Sequence, residues 1–329
     1  LTLLLLNTTN MDLHYLIENL TNPALLFFFL GLIAVNLKSD LKIPENSSKF
    51  ISLYLLLAIG FKGGQELAHS TITLEIVWSL LFGILLALLV PIYCYFILRL
   101  KLSVENAGAI ASAYGSVSAV TFVTTISFLE MSNIPFGGHM VAVMALMEAP
   151  SIIIGVLLIA IYNKDKKSKT SFKSVVHHSL TNGSVVLIIG SLVVGYFTNE
   201  IQAEGIKPFT TDLFKGFLAV FLLDMGITSG QKLKSLIKKG WFTLFFAVVI
   251  PVVNGVLVAM LSGLFIEEVG NRLLMSILAA SASYIAVPAA MKLAAPKANP
   301  GLYIPMALAI TFPFNITIGM PLYLFIIQT

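Results

Sequence analysis

The sequence predicts an all-α integral membrane protein: ten transmembrane helices forming two inverted five-helix repeats, with a pair of broken helices in the fourth and ninth positions. Three observations predict it. First, 57% of the 329 residues are hydrophobic and only 11% charged, with mean hydropathy +0.93, whereas a soluble domain carries roughly 25% charged residues. Second, the cations are segregated. Third, short motifs recur at one spacing in the two halves.

Apolar runs close to the ~20 residues that span a bilayer core place helices near 24–37, 50–68, 74–98, 105–128, 138–162, 183–198, 211–229, 241–265, 272–291 and 302–327. With these ten, one set of connections holds Lys38, Lys42, Lys49, Arg99, Lys101, Lys164, Lys166, Lys167, Lys169, Lys173, Lys232, Lys234, Lys238, Lys239, Lys292 and Lys297. The other set holds only Lys62, Lys207, Lys215 and Arg272. By the positive-inside rule the first set is cytoplasmic and both termini face outward; dropping one helix would scramble the split. The chain divides into an outer amino-terminal segment 1–18, a first repeat 19–162, a cytoplasmic linker 163–182 and a second repeat 183–329. Leu1 to Asn10 is apolar without a basic start, and Met11 opens a better amino terminus, so the first ten residues are set aside as no cleavable signal.

The second helix carries Leu57-Ala-Ile-Gly-Phe-Lys-Gly-Gly-Gln-Glu-Leu67, which resembles Leu223-Asp-Met-Gly-Ile-Thr-Ser-Gly-Gln-Lys-Leu233 in the seventh. The pairs Gly60/Gly226, Gly64/Gly230 and Gln65/Gln231 share one offset of 166 residues. Gly60 is read as ending an outward-running helix and Gly226 an inward-running one. Trp78 in the third helix answers Trp241 in the eighth, and Cys94, the lone cysteine, reads as a buried packing residue and excludes a disulfide framework. Five spans per half is odd, so the second half inserts upside down, the arrangement of many secondary transporters.

The fourth helix holds Ala109-Ile-Ala-Ser-Ala-Tyr-Gly-Ser-Val-Ser-Ala-Val-Thr-Phe122, and the ninth Ala280-Ser-Ala-Ser-Tyr-Ile-Ala-Val-Pro-Ala-Ala290. Small polar residues replace the greasy ones at equivalent places. Close helix packing is one explanation. As a symmetric pair, however, they read as interrupted helices whose freed N–H groups and dipoles attract an anion, sheltered from lipid inside the protein. Tyr114, Gly115, Ser116 and Ser118 form the first tip and Ser281, Ser283 and Tyr284 the second. Carboxyls at membrane depth are costly and usually functional: Glu148 in the fifth helix and Asp224 in the seventh, with Thr228 one turn on, are candidates for cation coupling or proton carriage. Thr311 joins them where Thr311, Pro313 and Asn315 break the tenth helix. Lys62 is expected to snorkel. His139 and the His177-His178 pair are expected to be solvated. The basic loop 163–181 suits anionic headgroups or a regulator.

These residues resemble the sodium-dependent bicarbonate permease family from about Asn19 to Ile327. The resemblance rests on Gly60-Phe-Lys-Gly-Gly64, Ala107-Gly-Ala with Gly115-Ser-Val-Ser118, Glu148-Ala-Pro150, Met225-Gly226, Ala279-Ala-Ser-Ala-Ser283, Ala298-Asn-Pro-Gly-Leu-Tyr-Ile304 and Ile318-Gly-Met-Pro-Leu322. It implies a substrate-carrying core moving against a gate domain, with bicarbonate between two broken-helix tips and a sodium ion beside it. It also implies a homotrimer and a PII-like cytoplasmic regulator. Carried over by position, the bicarbonate contacts fall on Tyr114, Gly115, Ser116, Ser118, Ser281 and Ser283. The chain departs from the pattern at Tyr284, where the family has Asp, and at Glu148, where it has a shorter acid; Asp224 stands one turn from the family's acid. No cofactor beyond a bound sodium ion is expected. Proton coupling, an uncoupled carrier of another small anion, and a non-transporting ligand sensor are the alternatives. An enzyme is not expected, because no paired catalytic groups or metal-ligand spacing occur.

Overall fold

The computed structural model describes residues 22–71, 73–163, 172–237 and 240–329. Among them every regular element is helical and there is no strand. The segment 1–18 and the core of the basic loop, 164–171, lie outside the described residues, as do the expectations placed on them.

The first two helices are α1 (Pro23–Asn36) and α2 (Glu45–His69). Asn22 starts α1, its side chain accepting from Ala24 N at 2.9 Å with Pro23 at the first position, the place where a missing N–H costs nothing. Helix α3 (Leu74–Arg99) follows, then α4 (Val104–Gly115), α5 (Ala119–Met131) and α6 (His139–Tyr162). Short α7 (Phe172–Leu180) precedes α8 (Gly183–Phe197) and α9 (Glu200–Lys207), the last opened by an Asn199/Gln202 capping box. Then come α10 (Phe214–Ile237), α11 (Trp241–Ser262), α12 (Val269–Ala280) and α13 (Ala286–Ala294). The final stretch, 300–328, runs through α14 (Pro300–Pro305), α15 (Phe312–Phe314) and α16 (Met320–Gln328), joined by widened π-type turns at Met306–Thr311 and Asn315–Gly319. Among the described residues six helical stretches are long and apolar enough to cross a membrane, and α1, α8 and α12 are shorter apolar helices.

Several expectations change. Gly60 and Gly226 end no helix; both lie inside α2 and α10. They sit instead where helices cross closely. A Cβ on Gly64 would stand 2.0 Å from Leu192 O, and one on Gly60 would stand 2.8 Å from Ile188 O, both on α8. A Cβ on Gly226 would stand 2.1 Å from Phe28 O, and Gly31 is equally tight against Leu223 O of α10. The last stretch is widened rather than broken at Thr311 to Asn315, because Pro313 withholds one N–H while the chain keeps helical dihedrals. His139 is buried at 6% exposure rather than solvated. Lys62 does not snorkel alone; its ammonium pairs with the Glu130 carboxylate of α5. Cys94 is fully buried, as read, and His177 is exposed.

The helices pack in two groups. In one, α1 lies along α10 and α2 along α8. In the other, α3 packs on α4 and α6, α4 on α6, and α11 on α12, with α12 touching α5 and α16. Small residues again set the approach: a Cβ on Gly155 of α6 would meet Ser112 Oγ of α4 at 1.8 Å, and one on Gly108 would meet Ile159.

Candidate functional site

Two helical runs of the second group are interrupted. After α4 ends at Gly115, Ser116 is extended (φ −84°, ψ −178°), and Ser118 starts α5 by accepting from Thr121 N at 3.2 Å. After α12 ends at Ala280, Ser281 is extended (φ −87°, ψ 171°) and α13 resumes at Ala286. The Gly-Ser-Val-Ser and Ser-Ala-Ser runs suit this: hydroxyls near the backbone offer hydrogen bonds that compete with the helical ladder.

The two breaks lock onto each other. Ser118 N donates to Ser281 Oγ at 2.9 Å, Ser281 Oγ donates to Leu278 O at 3.0 Å, and Ser283 N donates to Ala113 O at 2.8 Å. The carbonyl ends left by each break are then satisfied from neighbouring helices. Ser151 Oγ donates to Ser112 O at 3.0 Å, Asn254 Nδ2 to Ala279 O at 3.1 Å, and Asn315 Nδ2 to Ala280 O at 2.8 Å. Tyr93 OH donates to Asn254 Oδ1, and Tyr323 OH to Pro251 O at 3.1 Å. Neutral donors thus cover the negative ends of α4 and α12, while the positive N-terminal ends of α5 and α13 begin at the crossing. Their first-turn N–H groups have no partner within the helix, so the crossing favours negative charge.

Hydroxyls crowd the same place. Ser116 Oγ, Thr121 Oγ1 and Tyr284 OH near the breaks are buried without a well-formed hydrogen bond, the last lying beside Ser118, while Ser112 Oγ faces Gly155 of α6. Ser118, Ser283, Tyr284 and Glu148 line a small cavity with Val117 and Ala119. About 10 Å³ of it is open to the centre of a water molecule, room for roughly one water. Glu148 is half-buried there and makes no ion pair among the described residues. On the other side of Tyr284 and Ile285 lies a vestibule of about 960 Å³, lined by Lys42, Lys49 and Lys232 together with Ser48, Asp224 and Thr228.

The predicted residues therefore occupy distinct places. Ser118, Ser281, Ser283, Tyr284 and Glu148 gather at the crossing, with Ser116 buried alongside. Tyr114 turns away: its hydroxyl lies 2.7 Å from Thr311 Oγ1, which itself donates to Ala247 O at 2.7 Å, so Tyr114 is the donor. Gly115 is packed against Ser151 and Pro91. Asp224 lies in the vestibule, accepting from Ser48 Oγ at 2.5 Å, and Thr228 lies there too. The four candidates for cation coupling are thus spread over three places. Sequence reasoning passed over Ser151, Asn254 and Tyr93, which hold the breaks open. Asn254 carried a readable signal: it is the only side-chain amide in the apolar run Trp241–Ser262, and a polar group in oil needs a partner.

No curated protein matches the chain. A family model described as the Na+-dependent bicarbonate transporter superfamily matches residues 23–328. That match covers nearly the whole chain, and its apolar helices suit a membrane transporter; the protein belongs to the Na+-dependent bicarbonate transporter superfamily.

Proposed function

We propose that the protein is a secondary active carrier of a small anion, bicarbonate with sodium coupling, working by an elevator-type movement of a core against a gate. It would be a multi-pass protein of the cell inner membrane with both termini outside and the lysine-rich face cytoplasmic. The observation that carries this reading is the interlocked crossing, where two helix N-termini meet and the hydroxyl-bearing Ser118, Ser283 and Tyr284 line one small cavity. An anion held there gains neutral donors and helix dipoles without a buried counter-charge.

The packing supports ten spans in two inverted repeats. Within such repeats, α1 against α10 and α8 against α2 are equivalent pairs, as are α3 against α4 and α11 against α12. The first two pairs would form the gate, and the helices carrying the crossing would form the core. The vestibule on the lysine side suits an inward-open state. Membrane lipid, a homotrimer and a PII-like regulator at the basic face belong to the same reading. So does a sodium ion near the crossing, with Glu148 in the cavity and Asp224, Thr228 and Thr311 farther off.

Glu148 also favours a second reading, because a carboxyl without a cationic partner beside the anion site is placed to carry a proton. Purified protein in vesicles should accumulate labelled bicarbonate under an inward sodium gradient. Accumulation that follows a pH gradient, ignores sodium and disappears in Glu148→Gln would select the proton instead. Ligand binding with no flux of any small anion would overturn both in favour of a sensor.

A further inference from the structure

We infer that Tyr284 is the residue that closes the anion site toward the lysine-lined vestibule and selects the oxyanion by size and by one hydrogen bond. The inference rests on the carrier reading for its substrate, but not for its geometry.

Tyr284 and Ile285 are the two residues that line both the small cavity at the crossing and the large vestibule. A path between the two spaces therefore passes these side chains. The inner space, near one water in size, is too small for a planar oxyanion of four heavy atoms. An anion can enter from the vestibule only after the plug moves, and Tyr284 is the bulkier of the two. It is also the more enclosed, since Ile285 is 40% exposed. Upstream, Ser283 N is pinned to Ala113 O. The stretch 281–285 has no helical ladder, and the phenol ring is steadied by an edge contact with Phe312, centroids 6.3 Å apart. Its hydroxyl is buried beside Ser118 without a well-formed acceptor. Such a group needs an acceptor, and an oxyanion between Ser118 and Ser283 supplies one. Ring and hydroxyl thus have separable tasks: the ring blocks, the hydroxyl donates.

Two substitutions separate them. Tyr284→Phe keeps the ring and should raise the KM for bicarbonate about tenfold at unchanged maximal rate. That is the worth of one hydrogen bond to a charged acceptor at about 1.4 kcal/mol. Tyr284→Ala should admit larger oxyanions such as butyrate or benzoate as substrates or competitors. A second readout needs no transport. Ser283→Cys is placed in each background and labelled with a charged thiol reagent from the lysine side; Cys94 is fully buried and does not compete. Labelling should be slow with Tyr284 or in Tyr284→Phe and fast in Tyr284→Ala, with Tyr284→Leu replacing the alanine variant if that fails to fold. Equal labelling in all backgrounds overturns the plug, and an unchanged KM in Tyr284→Phe overturns the donor. If labelling behaves as expected while the parent protein moves no anion, the carrier reading fails and the plug stands.

Discussion

A carbonyl at the end of a half-helix inside a membrane protein has no water to turn to, so its donor must come from another helix. Asn315 fills that role for Ala280 and Asn254 for Ala279. Asn315→Ala leaves a buried acceptor without its donor, at a cost of about 1–3 kcal/mol. Thermal unfolding in detergent should show a clearly lowered midpoint. Tyr114→Phe should cost less, because Thr311 keeps its bond to Ala247 O after the Tyr114 hydroxyl is gone. Equal midpoints for Asn315→Ala and the parent would mean that the Ala280 carbonyl is not held by this amide. Asn315 was visible in the sequence as an irregularity in an apolar run. Its partner was not, because spacing along one helix cannot say which carbonyl of another lies within reach. Tyr114 misleads in the opposite way. It sits in the right motif at the right break, yet its side chain leaves on the packed face toward Phe246, ring centroids 5.1 Å apart.

At the scale of elements, glycine does two jobs that look alike in a sequence. The glycines of the 166-residue pairs mark crossings rather than helix ends. Where Gly64 meets Leu192 O and Gly195 meets Phe61 O, both at 2.0 Å from an added Cβ, backbone approaches backbone. Neither neighbour is a side chain that can step aside. Gly64→Ala should therefore push α2 off α8, at about the 1–3 kcal/mol typical of overpacking, and lower both yield and unfolding midpoint. Gly190→Ala is the matched control on α8, because nothing lies within 4 Å of its added Cβ; it should leave the midpoint where it was. A drop of the same size in both would mean that the added methyl costs as much away from the crossing as at it, and would overturn the close approach as the cause. Helices 24–37, 74–98, 138–162, 183–198 and 241–265 were legible within a few residues from apolar length alone. Helix α7 and helix α9 were not, because each is too short and too polar to leave that signature.

For the whole molecule, the lysine asymmetry is a sequence fact, whereas the vestibule is a fact of packing that no residue pattern announces. The two coincide: Lys42, Lys49 and Lys232 line the open space. Toward the opposite end of the molecule an ion pair joins Lys62 of α2 to Glu130 of α5. Lys62 follows Glu45, itself at the vestibule, by 17 residues on one helix, which at 1.5 Å per residue is about 26 Å farther along. Glu130 stands in the last turn of α5, whose first turn begins at the crossing. The pair thus ties the two helix groups together on the side of the crossing away from the vestibule. If the groups slide during each cycle, a covalent tie at this point must stop transport, whereas a fixed channel between them would not notice it. Lys62→Cys with Glu130→Cys, bridged by a short bifunctional methanethiosulfonate reagent, should lose anion uptake and regain it on reduction. Either cysteine alone, treated the same way, should keep it, since a single partly exposed ion pair leaves no covalent tie between the helix groups when broken. Undiminished uptake in a preparation shown by mass spectrometry to be fully bridged would rule out relative movement of these helices and leave the crossing as a static pore.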